Sequence, residues 1–518
     1  MAMILPFFII SLMIGGILAW MAARKSLLYA RWISLLTLLA NFIAAVVVWI
    51  QNPVRPDPNA SWILDYSVAW IPSFGISFHL ALDGLSLLLL LLTFFLGTLS
   101  VLVSWKEIQN RVGLYHFCLL WVLAGIAGVF LTMDLFLFYF FWEVMLIPMF
   151  FLIILWGHEN RRYAAFKFFI FTQASGLLML LSILGLYFVH GNQTGIYSFD
   201  YFQLLGTEPA PHIALWLMLG FLAAFVVKLP VVPFHSWLPD AHSEAPTAGS
   251  LILAGLLLKT GAYGLMRFIV PLFKTAAMDI APWAMAIGVL GIIYGAVLAF
   301  SQTDLKRLVA YTSVSHMGFI MLGVFSFNEL ANQGVVMQMI THGISTGALF
   351  IVAGFIYERI HTRDIRQMGG FWKKMPFLGA TALVFAMASL GLPGLGNFIA
   401  EFLTLVGAWQ ATHKLTIVAT IGLVAATIYS LRILQKVFYG TQTNSLELSD
   451  LSLREKIIMM VLVTSILWLG LFPQPVLNTS KQSVKEMLES TNATGEKVLK
   501  PAGYTAVFST QRKGGSHE

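Results

Sequence analysis

Cysteine is all but missing: Cys118 is the only one in 518 residues. That excludes a disulfide within the chain and any iron–sulfur cluster held by its own cysteines. Charge is scarce as well, at 11% of residues against 58% hydrophobic, and the mean hydropathy is +0.82. A chain this long otherwise suggests several soluble domains, and this composition excludes them in favour of a polytopic membrane protein. The net charge of +7 is no nucleic-acid signal, because most Lys and Arg sit in short loops between apolar runs, where they set orientation. No G-x-G-x-x-G follows a strand, and neither a P-loop nor a C-x-x-C-H haem motif occurs. The chain is therefore expected to bind no nucleotide and no metal, to hold no cofactor and to carry no electrons. Whatever drives it comes from a partner or an ion gradient.

What is present is a succession of apolar runs. A membrane helix takes about 20 such residues, and about 14 spans can be drawn. They run Met3–Trp20, Trp32–Ile50, Gly84–Val103, Tyr115–Met133, Leu135–Trp156, Ala164–Val189, Ile213–Leu238, Pro246–Leu272, Ile280–Phe300, Leu308–Phe325, Val335–Ile356, Phe377–Trp409, Leu415–Leu434 and Ile457–Phe472. Arg24 and Lys25 follow the first span instead of preceding it, and no A-x-A-like site comes after, so it reads as an uncleaved helix. Basic residues crowd alternate loops, at Arg24 to Arg31, Lys106 and Arg111, Arg161 to Lys167, Lys306 and Arg307, Arg359 to Lys374 and Arg432 to Lys456. The other loops hold little beyond Arg55, Lys274 and Lys414. The positive-inside rule then places both termini on the outer, periplasmic side of a bacterial inner membrane. One feature runs against it: the tail after Pro473 carries Lys481, Lys485, Lys497, Lys500, Arg512 and Lys513.

Two spans cannot be continuous helices. The seventh holds Lys228-Leu-Pro-Val-Val-Pro233 and the twelfth Gly391-Leu-Pro-Gly-Leu-Gly396, and such prolines and glycines interrupt the helical ladder. Backbone groups freed at membrane depth persist only where protein or a wet cavity satisfies them. The breaks lie five spans apart, and a tandem five-helix unit must invert because five is odd. This predicts an inverted repeat, spans four to eight (111–272) and nine to thirteen (273–436), with 1–110 before it and 437–518 after it. The halves share no obvious letter-by-letter identity.

Ionisable residues recur in mid-span: Glu143, Lys228, Lys259, His316, His342 and Glu401. Each charge at the bilayer centre costs roughly 2.5–3.5 kcal/mol, so six are hard to keep without a use. Lys259, between Leu256-Leu257-Leu258 and Gly261, is too central for its stem to reach water. Glu143 is either half of a static buried ion pair or a carboxylate whose pairing with Lys228 changes during turnover. A desolvated lysine gives up its proton readily and a nearby carboxylate keeps it charged, so moving the carboxylate loads or releases a proton. Alone, His316 and His342 read equally well as hydrogen-bonded structural residues. Together, between Lys259 and Glu401, they suggest a water-linked relay. Metal binding fits less well, since neither has a second histidine at helical ligand spacing. His235 and His242, near one membrane face, could gate an inlet, but loop packing is the simpler reading.

The stretch Lys228 to Gly264, Lys-Leu-Pro-Val-Val-Pro-Phe-His-Ser-Trp-Leu-Pro-Asp-Ala-His-Ser-Glu-Ala-Pro-Thr followed by Leu-Ala-Gly-Leu-Leu-Leu-Lys-Thr-Gly-Ala-Tyr-Gly, resembles the antiporter-like membrane subunits of respiratory complex I. Their relatives in multisubunit cation/proton antiporters and membrane-bound hydrogenases share it. Asp304-Leu-Lys-Arg-Leu-Val-Ala-Tyr-Thr-Ser-Val-Ser-His-Met-Gly318 agrees. Glu401, at a position where the sister subunits typically have lysine, makes the chain most similar to the subunit M branch, the counterpart of mitochondrial chain 4. The resemblance implies a non-redox, proton-translocating subunit of NADH:quinone oxidoreductase among sister antiporter-like subunits. It implies NADH, FMN, iron–sulfur clusters and quinone in those partners. Glu143 would pair with Lys228, Lys259 would pass protons centrally, and His316 and His342 would lead to Glu401 as terminal carrier. The alternative is a subunit of a multisubunit sodium/proton antiporter.

Overall fold

The computed structural model describes residues 2–51, 62–439 and 448–489. Every predicted span has a counterpart. They are α1 (Ile4–Ala22), α2 (Leu27–Gln51), α3 (Gly84–Glu107), α4 (Val112–Leu131), α5 (Leu135–Trp156), α6 (Arg161–Thr194), the split pair α7 (Pro211–Lys228) and α8 (Trp237–Glu244), α9 (Thr247–Leu272), α10 (Lys274–Ser301), α11 (Leu305–Val324), α12 (Glu329–Ile360), the split pair α13 (Pro376–Ser389) and α14 (Gly396–Ala411), α15 (His413–Tyr439) and α16 (Leu453–Leu471). Among the described residues, 11 helices are long and apolar enough to cross a membrane unaided, or 12 with a bent pair counted. The tenth and twelfth predicted spans fall outside that set. The first, α11, carries too many polar groups, and the other is cut in two by its glycines and proline. The fourteenth, α16, qualifies only together with α17 (Gln474–Glu489), from which it bends by 67°. Helix α17 occupies part of what the sequence presents as a polar tail. It is tied to the bundle by Trp49 Nε1 donating to Thr479 Oγ1 at 2.8 Å and Gly84 N donating to Ser483 Oγ at 3.1 Å. Arg55, Lys497, Lys500, Arg512 and Lys513 lie outside the described residues.

One element departs from an all-helical reading. Strands β1 (Leu64–Ile71) and β2 (Ile76–Leu82) form an antiparallel hairpin in register Leu64↔Leu82. A search for 20-residue apolar windows passes over a period of two. His79 on β2 fastens it, with Nδ1 at 2.5 Å from Asp200 and Nε2 at 2.9 Å from Asp65. Burial opposes charge on this ring, but the two carboxylates outweigh it and hold its pKa at about 9. The hairpin marks one face of the bundle; the basic loops at 106–112, 157–162 and 301–307 mark the other.

The two halves are alike at the level of construction. At the hairpin face, Asp134 caps α5 through the amides of Phe136 and Leu137, and Leu135 N donates to Phe199 O while Tyr201 N donates to Met133 O. At the basic face, Asp304 caps α11 through Arg307 N, Leu305 N donates to Arg363 O and Ile365 N to Thr303 O. Asp134 thus faces Asp200 as Asp304 faces Asp364. In each half the start of the second helix is stitched to the segment after the third, on opposite faces, as inversion requires. The sequence signal is only Asp-Leu at two places, too short to stand out before the pairing is seen.

Candidate functional site

The first broken span ends its leading helix, α7, at Lys228, and Pro230 and Pro233 keep the ladder from continuing into α8. Lys228 is fully buried and its ammonium makes no hydrogen bond. It lies over aromatic faces instead, 5.2 Å from the ring centre of Trp142 and 5.5 Å from that of Phe168, which stabilise a desolvated cation through their quadrupoles. Glu143, next to Trp142 on α5, is half-buried, and its Oε1 receives Gln173 Nε2 at 3.4 Å. Glu143 and Lys228 lie close enough to interact electrostatically, without a hydrogen bond between them. Gly261 is what lets α9 press onto this site, since a Cβ there would stand 2.7 Å from Phe225 O and 2.9 Å from Leu229 N.

The centre of the bundle carries the tightest contacts. Regular winding in α9 gives way to π turns at Leu253–Leu257 and Leu265–Ile269, on either side of Lys259. Such turns cluster at functional sites because they leave carbonyls outside the ordinary ladder. Lys259 Nζ donates to Ala254 O at 2.5 Å and lies 2.7 Å from His342 Nδ1 on α12. The His342 ring stands edge-on to that of His316 on α11, with centroids 5.5 Å apart. His316 continues the line, with Nδ1 at 3.0 Å from Glu401 Oε1 on α14. Its Nε2 lies 3.3 Å from both Ser389 Oγ and Tyr429 Oη.

Glu401 ends the line at the second break. Its Oε2 is buried without a hydrogen bond and points at Gly391, where a Cβ would come within 2.8 Å. Gly391 sits at φ +78° and Gly394 at +94°, conformations that side chains with a Cβ resist. Leu392 and Pro393 of this break face outward. Lys259, His342, His316 and Glu401 thus form a buried row of groups able to take and give protons, its two imidazoles in ring contact without a hydrogen bond between them. Four separate helices contribute them.

A family model described as "NADH:quinone oxidoreductase/Mrp antiporter, TM" matches residues 132–428, which include every one of these groups. The chain belongs to this family. It is 54% identical over 492 residues to NADH-quinone oxidoreductase subunit M of Pseudomonas aeruginosa, covering 93% of this chain and 97% of that one. It is similar to a chain of respiratory complex I from Thermus thermophilus with bound NADH, at 30% identity and a TM-score of 0.82 over 93% of this chain and 99% of that chain. A chain of the Mrp complex from Dietzia sp. DQ12-45-1b has the same fold, with a TM-score of 0.82 at 21% identity, covering 94% of this chain and 99% of that one. The resemblance to complex I subunits read from the sequence stands, and so does the subunit M branch within it.

The NADH:quinone oxidoreductase/Mrp fold brings Lys259, His316, His342 and Glu401 together and sets Glu143 and Lys228 side by side unpaired. His235 and His242, read from the sequence as loop packing or an inlet gate, are both buried, His242 within α8. His242 is fully buried, stacked on Phe350 at 4.5 Å, with neither ring nitrogen hydrogen-bonded, and His235 packs beside Tyr294 and Tyr311. Lys306, counted among the loop charges, is also fully buried, with its ammonium 2.9 Å from Ala245 O. Sequence reading missed Ser389, Tyr429 and Gln173, because hydroxyls and amides in a span carry no signal until a partner is known. It also passed over Arg267, whose signal was plain: a fixed charge inside the eighth span.

Proposed function

We propose that the chain is a proton-translocating membrane subunit of an NADH:quinone oxidoreductase, in which quinone reduction in partner subunits drives protons along Lys228, Lys259, His342, His316 and Glu401. The observation that carries this reading is the buried row from Lys259 to Glu401, with contacts of 2.7 Å and 3.0 Å at its two ends. Desolvated lysines and histidines cost free energy that a merely structural core avoids. Lys228 shows it most plainly: its ammonium is fully buried over aromatic faces with no hydrogen-bond acceptor. A shift of Glu143 towards or away from it sets which state wins. The chain's own residues hold and pass protons and supply no redox group. NADH, FMN, iron–sulfur clusters and quinone belong to the partners.

The flanks support sister antiporter-like subunits as neighbours. Glu143 is half-buried among Phe140, at 43% exposure, and Ile147, at 49%, and the second break presents Leu392 and Pro393 outward. Neither an ionisable group nor an open helix break is tolerated against lipid. Membrane partners over both places would extend the row beyond this chain. With the basic loops inside, the hairpin face is periplasmic and the membrane is the bacterial inner membrane. The repeats span 111–272 and 273–436. The alternative, a sodium/proton antiporter subunit, rests on the fold it shares with the Mrp chain.

The test uses membranes from a Glu143→Ala strain, with assembly checked on a native gel. Loss of NADH-driven proton uptake in an intact complex supports the proposal. Unchanged uptake with lost sodium tolerance moves the chain to the antiporter reading.

A further inference from the structure

On the hairpin side of Lys259, helix α9 carries two more polar side chains at intervals of four residues, Tyr263 and Arg267. Positions four apart share a helix face, and here the Arg267 guanidinium lies 5.5 Å from the centre of the Tyr263 ring. This is a polar stripe from the middle of the bundle towards the hairpin face, and left open it would connect Lys259 with that side. Each member is tied down. Tyr263 Oη donates to Phe130 O at 3.1 Å, with Ser86 Oγ at 3.4 Å. Arg267 pairs with Asp83, whose other oxygen already accepts from Ser86 N at 2.8 Å as the cap of α3. The guanidinium is 3% exposed, and the Trp62 ring covers it at 4.8 Å.

We propose that the Arg267–Asp83 pair, beneath Trp62 and beyond Tyr263, is a proton barrier that seals the Lys259 site from the hairpin face. The inference rests on the reading that Lys259 carries protons, and it assigns Arg267 a positioning and gating part, not transport. An arginine keeps its charge at any working pH, so it cannot pass a proton on. A fixed cation in a narrow polar path also repels an arriving proton, as arginines do in other pores that exclude protons. Asp83 is spent as cap and counterion, and the Tyr263 proton is committed to a backbone carbonyl. A pump must close one side of its central carrier, or the gradient it builds runs back through it. This stripe is where α9 would otherwise leak.

The alternative is an ordinary structural ion pair. Replacing both partners of a buried pair by neutral groups leaves no orphan charge and is often tolerated, so the double variant Asp83→Asn/Arg267→Gln separates the two. The whole complex containing this chain is reconstituted into liposomes loaded with a pH-sensitive dye. A pH step is then imposed without NADH. The barrier predicts a several-fold faster collapse of the step in the double variant, and a return to wild-type tightness when Lys259→Ala is added. Equal tightness of the double variant and the wild type overturns the proposal, and so does a leak that survives Lys259→Ala. Failure of the proton-path reading looks different: Lys259→Ala alone then leaves NADH-driven proton uptake unchanged.

Discussion

His316 Nδ1 on α11 lies 3.0 Å from Glu401 Oε1 on α14, a contact between residues 85 positions apart that joins an unbroken helix to the second broken span. A hydrogen bond with a charged partner contributes about 1.5–3 kcal/mol. Glu401→Gln keeps the acceptor oxygen and the shape but cannot ionise. Driven proton uptake should fall by at least about tenfold, each 1.4 kcal/mol being a factor of ten, while the complex assembles normally. Wild-type uptake in a variant of confirmed assembly would remove Glu401 from the path.

Lys228 offers a sharper separation of stability from function. Its ammonium is buried without a hydrogen bond, so it costs the fold more than an apolar side chain of similar length. An unbonded buried ammonium carries an uncompensated desolvation cost, on the order of several kcal/mol per ion, which an apolar side chain removes. Lys228→Met should leave the melting temperature of the assembled complex equal or higher and abolish proton uptake. A variant that melts lower yet still pumps contradicts both halves of the argument.

At the second break, two glycines allow an internal control. Gly391 and Gly394 both adopt positive φ, +78° and +94°, so an alanine at either carries about 1–2 kcal/mol of backbone strain. Only at Gly391 does the new Cβ reach Glu401 Oε2; at Gly394 nothing lies within 4 Å. Gly391→Ala should cut proton uptake well beyond its effect on assembly, whereas Gly394→Ala should lower stability by a like amount with transport kept. Equal transport in the two variants counts against a role for the Glu401 carboxylate's position.

The hairpin should loosen in alkali. With its pKa raised from 6.5 to about 9 by Asp200 and Asp65 against the pull of burial, charged His79 contributes stability that is complete below pH 6.5. That contribution is lost as pH rises through about 9. Hydrogen exchange of residues 64–82 should accelerate between pH 8 and 10 more steeply than intrinsic exchange does. His79→Gln should remove the extra step; if wild type and variant track each other, the latch does not hold the hairpin.

Much of this architecture was legible in the chain, for a physical reason. The free energy of placing a side chain in lipid is additive over a window of about 20 residues, so the spans from Met3 to Phe472 can be marked without knowing any contact. Proline and glycine act on their own backbone, which fixed both breaks at Lys228 to Pro233 and Gly391 to Gly396. Six mid-span ionisable residues stand out because each violates the local cost of placing a charge in lipid. What tertiary structure alone decided is who meets whom. Lys259 reaches His342 across 83 residues, Glu143 and Lys228 stand together unbonded, and Arg267 finds Asp83 across 184. Lys306 looks like a loop charge until the segment around Ala245 folds over it. The β-hairpin and the twin Asp134–Asp200 and Asp304–Asp364 stitches depend on short segments whose pairing energy exists only once distant helices have packed. Burial is a property of a segment and can be read along the chain; partnership is a property of packing, set by distances that no linear spacing records.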